Sequence, residues 1–153
     1  MTGSRDNHQL FPAPGNHDYA NVGYQTPKPL IEVNGKPMLY HAFQSVKNVP
    51  YRKVVFIALR EHEEQYGVRK MIEEQLTTNF ELILLDEVTE GQLCTVLKAA
   101  HLFTAHEGLL IAASDSYIES DLASELTQND ADGLISVCNL PGEQWSFAKV
   151  DAK

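Results

Sequence analysis

The chain has 153 residues, of which 43% are hydrophobic and 8% aromatic, a globular composition at a length that favours one domain over two. Its formal net charge of −9 excludes a broad nucleic-acid-binding surface, because contact with many phosphates needs clustered Lys and Arg. No apolar run approaches the roughly 20 residues that cross a bilayer, and the polar N-terminus and two cysteines favour a reducing, cytoplasmic compartment.

Strand-like and helix-like patterns alternate along the chain. Apolar runs predict strands over residues 9–12, 30–33, 54–59, 82–85, 109–113, 134–138 and 147–150. Helical spacing and first-turn residues predict helices from Pro37 and over residues 61–76, 92–103 and 121–126. This alternation implies right-handed βαβ units, and therefore an α/β domain with a mostly parallel sheet and helices on both faces. We expect residues 1–153 to form that single domain, with a flexible segment at 1–8.

Ligands of such sheets bind beyond the carboxyl ends of the strands, so the residues that follow each strand are candidates for a site. The first strand leads into a small loop that contains a glycine. Its backbone amides could approach a phosphate closely. The residues of this predicted phosphate loop are Ala13, Pro14, Gly15 and Asn16.

Two charged residues, Lys28 and Asp115, also come after predicted strands and are candidates for the site. Lys28 stands between Pro27 and Pro29, which stiffen the backbone and suit a cation that neutralises phosphate charge. On local sequence alone the plainer alternative is favoured, an exposed lysine in a proline-rich turn. Asp115 follows the strand at 109–113 and is well placed to hold Mg²⁺ on phosphates. Its alternative role is that of an N-cap or turn aspartate.

A third candidate segment follows the strand at 82–85. Gly91 would allow a base or phosphate to approach closely, and Gln92 could hydrogen-bond the edge of a base. The alternative is an ordinary helix start, in which Thr89 or a neighbour provides the cap and Glu90 complements the helix dipole.

Three segments in the same order along the chain resemble the sugar-phosphate nucleotidylyltransferases, which make nucleoside-diphosphate sugars from a nucleoside triphosphate and a sugar 1-phosphate. They are residues 23–39 (GYQTPKPLIEVNGKPML), 85–97 (LDEVTEGQLCTVL) and 109–117 (LLIAASDSY), and 145–151 (WSFAKVD) is similar to a further one. The resemblance covers nearly all of the chain from Gln9 onward. It implies the nucleotide-binding portion of such an enzyme, with a Rossmann-like three-layer α/β/α sandwich.

The resemblance also implies a reaction and a role for each candidate residue. A sugar phosphate would attack the α-phosphorus of the nucleotide in line and release pyrophosphate. Lys28 would neutralise phosphate charge, Asp115 would hold Mg²⁺, Gln92 would contact the base, and Gly15 with its neighbours would cradle the triphosphate. Polysaccharide precursors are the product class that the resemblance suggests.

Two features depart from that family. His17, Asp18 and Tyr19 stand where its first loop carries an arginine, and the chain ends before the later strands that hold a second metal-binding aspartate and most of the sugar pocket. A catalytically weakened or inactive nucleotide-binding module is therefore the main alternative. A nucleotide-sugar-dependent glycosyltransferase is disfavoured, because Tyr117 stands where an Asp-x-Asp pair beginning at Asp115 needs its second aspartate. A shortened sheet would also leave an edge or apolar face to cover, which keeps a homo-oligomer among the alternatives.

Overall fold

The computed structural model describes residues 7–12, 26–129, 131–139, 141–142 and 148–149. The strands are β1 (Asn7–Pro12), β2 (Glu32–Val33), β3 (Lys36–Pro37), β4 (Lys53–Leu59), β5 (Phe80–Leu85) and β6 (Gly108–Ile111). The helices are α1 (Met38–Val46), α2 (Arg60–Tyr66), α3 (Val68–Gln75), α4 (Gln92–Leu97) and α5 (Leu122–Gln128). Short 3-10 turns occur at Lys28–Leu30 and Ala100–Leu102.

The central element is a four-stranded parallel sheet in the order β5-β4-β1-β6. Starting from β1, the chain first builds β4 and β5 on one side and then returns to place β6 on the other side. The order of the strands thus reverses at β1, and open α/β sheets bind ligands outside the carboxyl ends of the strands at such a switch point. Strands β2 and β3 form a separate antiparallel hairpin that turns at Asn34 and Gly35, both with positive φ.

Helices cover both faces of the sheet. On one face, Phe43 of α1 and Ile72 of α3 are buried in a cluster with Phe56 of β4. On the other face, Val96 of α4 is buried in a cluster with Val55 of β4. Strand β4 is therefore covered on both sides, which explains why its sequence is an unbroken apolar run. The predicted three-layer α/β/α class is confirmed, and no helix in the described part of the chain is long and apolar enough to cross a bilayer.

One buried polar residue joins the sheet to the first helix. The Gln9 side chain in β1 is fully buried, and its Nε2 donates hydrogen bonds to the carbonyl oxygens of Val46 and Val49, both at 3.0 Å. The Val46 carbonyl ends α1 and has no partner within the helix, and it accepts from Gln9 as well as from the Val49 N–H at 3.0 Å. Gln9 therefore anchors the C-terminal end of α1 to the centre of the sheet.

Two predicted helices are shorter than expected. The segment at 61–76 is divided into α2 and α3 by Gly67, whose φ of 64° lies in the left-handed region and ends α2. The Gly67 N–H donates to the carbonyl of Glu63 at 2.9 Å, as in a helix C-cap. The segment at 92–103 is helical only to Leu97 and continues as the 3-10 turn at Ala100–Leu102.

The predicted strands also differ at several places. Residues 28–30 form a 3-10 turn, so the strand predicted at 30–33 is reduced to β2. The strand predicted at 134–138 is wrong, since that segment has no regular structure and Ile135 is 84% exposed. An apolar β-rich run forms a strand only when a neighbour pairs with it and buries one face.

Strand β1 begins at Asn7, so residues 7 and 8 of the segment expected to be flexible belong to the sheet. The strand predicted at 147–150 lies outside the described residues except for 148 and 149.

At the amino-terminal edge of the sheet, Glu107 is held by several donors. Thr104 donates to its Oε2 through the backbone N–H at 2.7 Å and the hydroxyl at 2.9 Å. Arg52 donates to its Oε1 at 2.9 Å, and the His8 ring nitrogen Nε2 lies 3.2 Å from the same oxygen. The Thr104 backbone N–H, followed by the His8 ring and the Thr104 hydroxyl, lowers the pKa of Glu107 from 4.5 to about 2.

This contact network predicts a pH dependence of stability. Because the pKa of Glu107 is lower in the folded state than in the unfolded state, its contribution is present above about pH 4.5 and is lost as the pH falls toward about 2. We expect Glu107→Gln to reduce the free energy of unfolding at pH 7, and the difference from wild type to shrink steadily below pH 4.5. Urea denaturation at several pH values measures it. Glu74→Gln, which removes an exposed partner of Lys70, is the control, and a difference that stays constant with pH contradicts the prediction.

Candidate active site

The candidate active site lies at the switch point, beside the carboxyl ends of β1 and β6. Two segments that are far apart in the sequence meet there. The first is the 3-10 turn that begins at Lys28, and the second is the stretch that follows β6 and contains Asp115. The Lys28 Nζ atom lies 2.7 Å from the Asp115 Oδ2 atom, and each side chain is 27% exposed. The structure thus brings two predicted site residues into direct contact as a partly buried ion pair.

The turn around Lys28 is well fixed. Pro27 and Pro29 on either side of the lysine are buried, and the Leu30 N–H donates to the carbonyl of Pro27 at 2.8 Å. Both prolines line a small apolar cavity together with His62, where burial lowers the pKa of the imidazole. The predicted stiffness therefore comes both from the proline rings and from their packing. Lys28 is consequently not a freely exposed lysine in a solvated turn.

Asp115 lies in the segment that continues from the end of β6. The N–H of Ala112, just beyond the strand, donates to the carbonyl of Leu10 at 2.9 Å and continues the pairing with β1. Ser114 is buried at 4% exposure, and the hydroxyl of Ser116 donates to Asp115 Oδ1 at 3.4 Å. Asp121 rather than Asp115 caps helix α5. The N-cap alternative for Asp115 is therefore excluded, whereas Ser114 and Asp115 do lie in a turn, as the other alternative expected.

Gly91 and Gln92 follow β5, which is the edge strand opposite β6. Gly91 has an extended backbone with φ of 174°, which any residue adopts, and a Cβ atom there would meet nothing within 4 Å. Gln92 is exposed at the first position of α4. The capping role considered for Thr89 is wrong, because no side chain caps this helix and the Thr89 hydroxyl donates instead to the Gly91 carbonyl at 3.1 Å.

The remaining predicted site residues fall outside the described ranges. Ala13, Pro14, Gly15 and Asn16 follow β1 directly, and the structure does not describe them.

A second ion pair at the same edge of the sheet was not predicted. Arg60 follows β4 and Asp86 follows β5, and the Arg60 Nε atom donates to Asp86 Oδ1 at 2.6 Å. Both residues come directly after strands of the sheet, which is the signal that could have identified them. They are more exposed than Lys28 and Asp115, at 49% and 79%. Among the described residues, the carboxyl ends of the strands therefore carry one ion pair on each side of β1.

Several proteins of known structure share this fold. A nucleoside-diphosphate-sugar pyrophosphorylase from Vibrio cholerae aligns with a TM-score of 0.57 at 17% identity, over 77% of this chain and 52% of that one. HddC from Yersinia pseudotuberculosis, complexed with GMP-PN, aligns with a TM-score of 0.61 at 18% identity, over 79% and 53%. The 4-diphosphocytidyl-2C-methyl-D-erythritol synthase of Anaerococcus prevotii aligns with a TM-score of 0.57 at 13% identity, over 81% and 49%. The chain thus spans about half the length of these structures.

At these identities the structural likeness shows the fold alone. A search of curated protein sequences finds no match to the chain. The family model described as nucleotidyl transferase matches residues 21–143, which is more than half of the chain and includes both Lys28 and Asp115. The chain therefore belongs to the nucleotidyl transferase family.

Proposed function

We propose that this chain is the nucleotide-binding part of an enzyme that joins a nucleoside triphosphate to a sugar 1-phosphate and releases pyrophosphate. The observation that carries the proposal is the ion pair between Lys28 and Asp115 at the switch point of the sheet. The likeness to a nucleoside-diphosphate-sugar pyrophosphorylase supports a sugar phosphate as the second substrate. The ligand screen described below selects the nucleotide base.

Nucleotidyl transfer needs a cation that neutralises phosphate charge and a ligand for Mg²⁺, and Lys28 and Asp115 can each provide one of these. The negative charge of the triphosphate must be neutralised, and Lys28 is a cation on a rigid backbone that can donate to phosphate oxygens. Asp115 is a carboxylate that can hold Mg²⁺, which would polarise the phosphate oxygens when bound. The two groups lie 2.7 Å apart, so each partly buried charge has an opposite charge as a neighbour.

The donor set fits magnesium bound together with a substrate. No group of three or more His, Cys, Asp or Glu side chains that could hold a metal occurs in the part of the chain that the structure describes. Magnesium in phosphate-transfer sites is usually held by one or two carboxylates, with substrate phosphates and water as the other ligands. A single carboxylate at Asp115 fits that arrangement, and metal affinity would therefore depend on bound nucleotide.

The nucleotide would lie across the carboxyl edge of the sheet. Its phosphates would lie near Lys28 and Asp115, and its base would point toward Gly91 and Gln92; residues 13–16 remain the predicted phosphate loop. Strands β6 and β5 are the two edges of the sheet, so about 14 Å separates them at about 4.8 Å between neighbouring strands. An extended nucleotide can cover that span. Gln92 is exposed and can rotate toward a base.

A nucleotide-binding module without transfer activity is the second candidate. It is favoured by the absence of an arginine at positions 17–19, where His17, Asp18 and Tyr19 stand in place of the arginine that the resembling family carries. The two candidates differ in one observable, the release of pyrophosphate from a nucleotide that both would bind. The binding experiment below tests the site that they share.

We expect one of the common nucleoside triphosphates to stabilise the protein in the presence of Mg²⁺. At about 100 times the dissociation constant, binding should raise the free energy of unfolding by about 2.7 kcal/mol. Asp115→Asn should remove the part of this gain that depends on Mg²⁺, because the neutral amide binds the cation far more weakly. Thermal denaturation with each triphosphate, with and without Mg²⁺, measures the effect.

Asp121→Asn is the matched control. It makes the same chemical change at the cap of α5, and asparagine is an equally good N-cap residue, so the Mg²⁺-dependent gain should be unchanged. The proposal fails if no triphosphate stabilises the wild-type protein with Mg²⁺, or if Asp115→Asn responds as wild type does.

A further inference from the structure

A serine on α1 is hydrogen-bonded to the segment that carries Asp115. The Ser45 Oγ atom accepts a hydrogen bond from the backbone N–H of Ile118 at 2.8 Å. The same hydroxyl donates to the carbonyl of His41, one turn earlier in the helix, at 3.3 Å. The serine is thus oriented by its own helix and binds a backbone group three residues beyond Asp115.

The same helix also contacts the segment that carries Lys28. At its start, the N–H of Met38 donates to the carbonyl of Ile31 at 2.9 Å, and Leu39 is buried in a cluster against which Leu30 packs. His41 Nε2 lies at hydrogen-bond distance, 2.8 Å, from the carbonyl of Val33 in the hairpin that follows. Helix α1 therefore contacts both halves of the candidate site.

The helix itself is firmly held. Its inner side chains, among them Ala42, Phe43 and Val46, are buried against the sheet, and Gln9 binds the carbonyl at its C-terminal end. A side chain that projects from such a helix has a defined position relative to the sheet. A hydrogen bond from Ser45 to the backbone after Asp115 consequently fixes that backbone relative to the Lys28 turn.

We propose that Ser45 is a positioning residue that sets the place of Asp115 opposite Lys28, by binding the N–H of Ile118 from helix α1. The consequence for ligands rests on the proposed function, in which Asp115 holds Mg²⁺ on the nucleotide. Without the serine hydroxyl, the segment from Ser114 to Ile118 has more freedom. Asp115 then spends less time at the position from which it can bind the cation.

Two measurements on Ser45→Ala test this inference. The first is amide hydrogen exchange at Ile118, which should become faster because its acceptor is gone. The second is the dissociation constant of the stabilising nucleotide. With Mg²⁺ it should rise roughly 2- to 10-fold, the loss expected for one hydrogen bond, and without Mg²⁺ it should stay unchanged. A merely structural role would weaken both affinities or neither.

Two further variants serve as controls. Ser45→Thr retains the γ-oxygen and should restore both the slow exchange and the Mg²⁺-dependent affinity. Thr127→Ala removes a hydroxyl on α5 that, like that of Ser45, donates to a carbonyl of its own helix. This variant should change neither the exchange at Ile118 nor the nucleotide affinity. Unchanged exchange at Ile118 in Ser45→Ala overturns the inference, as does an equal loss of nucleotide affinity with and without Mg²⁺. If the wild type shows no Mg²⁺-dependent binding, the proposed function fails and the Ile118 exchange alone decides the positioning role.

Discussion

Replacement of Lys28 by glutamine is expected to lower kcat for pyrophosphate release by about 10²- to 10³-fold, the usual effect of removing one preorganised electrostatic group from a transition state. The phosphates gain negative charge as the bond to pyrophosphate breaks, and the lysine ammonium is the group proposed to neutralise it. Lys28 is held by buried prolines on both sides, so its charge needs little reorganisation during the reaction. KM for the nucleotide should change less than kcat, because the interaction strengthens as charge develops.

The variant is chosen so that folding is retained. Glutamine keeps the first half of the aliphatic stem, and its amide can donate a hydrogen bond toward Asp115 in place of the ammonium. Lys36→Gln is the control, since Lys36 donates to Gln75 at 3.2 Å and lies over the Tyr40 ring, on the hairpin rather than at the Lys28–Asp115 pair. A coupled assay of pyrophosphate, run with the nucleotide selected by thermal stabilisation and with a sugar 1-phosphate as the acceptor, measures kcat. Wild-type kcat in Lys28→Gln would falsify the role assigned to the lysine.

The second large effect concerns the core. We expect Phe56→Ala to lower the free energy of unfolding by about 3–5 kcal/mol, as for other buried phenylalanines. Phe56 is 2% exposed in the middle of β4 and stacks on Phe11 with ring centroids 5.2 Å apart. Phe80 meets it edge-on at 5.8 Å, and Phe43 of α1 lies at 6.4 Å. Truncation leaves a cavity where three strands and a helix meet.

That loss is a large share of the total stability of a typical domain, about 5–15 kcal/mol. Urea denaturation followed by circular dichroism measures it. Leu93→Ala is the matched control, because Leu93 is 69% exposed on α4 and its removal should change the free energy of unfolding by less than about 0.5 kcal/mol. A loss below about 1 kcal/mol for Phe56→Ala would mean that the aromatic cluster contributes much less than its burial indicates.

The strands of the sheet were largely predictable from the sequence. The apolar run at 54–59 corresponds to β4 within one residue, because a strand covered on both faces requires such a run. The run at 134–138 is also mostly apolar and β-rich but forms no strand. The difference lies in pairing, since β4 has β1 and β5 as neighbours, whereas pairing cannot be read from the residues of one segment.

The helix boundaries were predicted less well. Residues 61–76 have helical periodicity throughout, yet Gly67 adopts a left-handed conformation and separates α2 from α3. A glycine inside a helical pattern can continue the helix or end it at little steric cost. The packing of the two helices against the sheet determines which occurs, because Val68 and Ile72 of α3 are both buried in the cluster on that face.

The sequence by itself determined the class of fold, and it made Lys28 and Asp115 candidates for a site, although on local sequence alone an exposed lysine was the favoured interpretation of Lys28. It did so because local periodicity sets the type of each element and because parallel strands bring their carboxyl ends to one edge. Only the tertiary structure decided that these two side chains touch, and that Ser45 binds the backbone beyond Asp115. Contacts of this kind join segments far apart in the chain, and their geometry depends on the strand order and on the packing of α1, which no local pattern specifies.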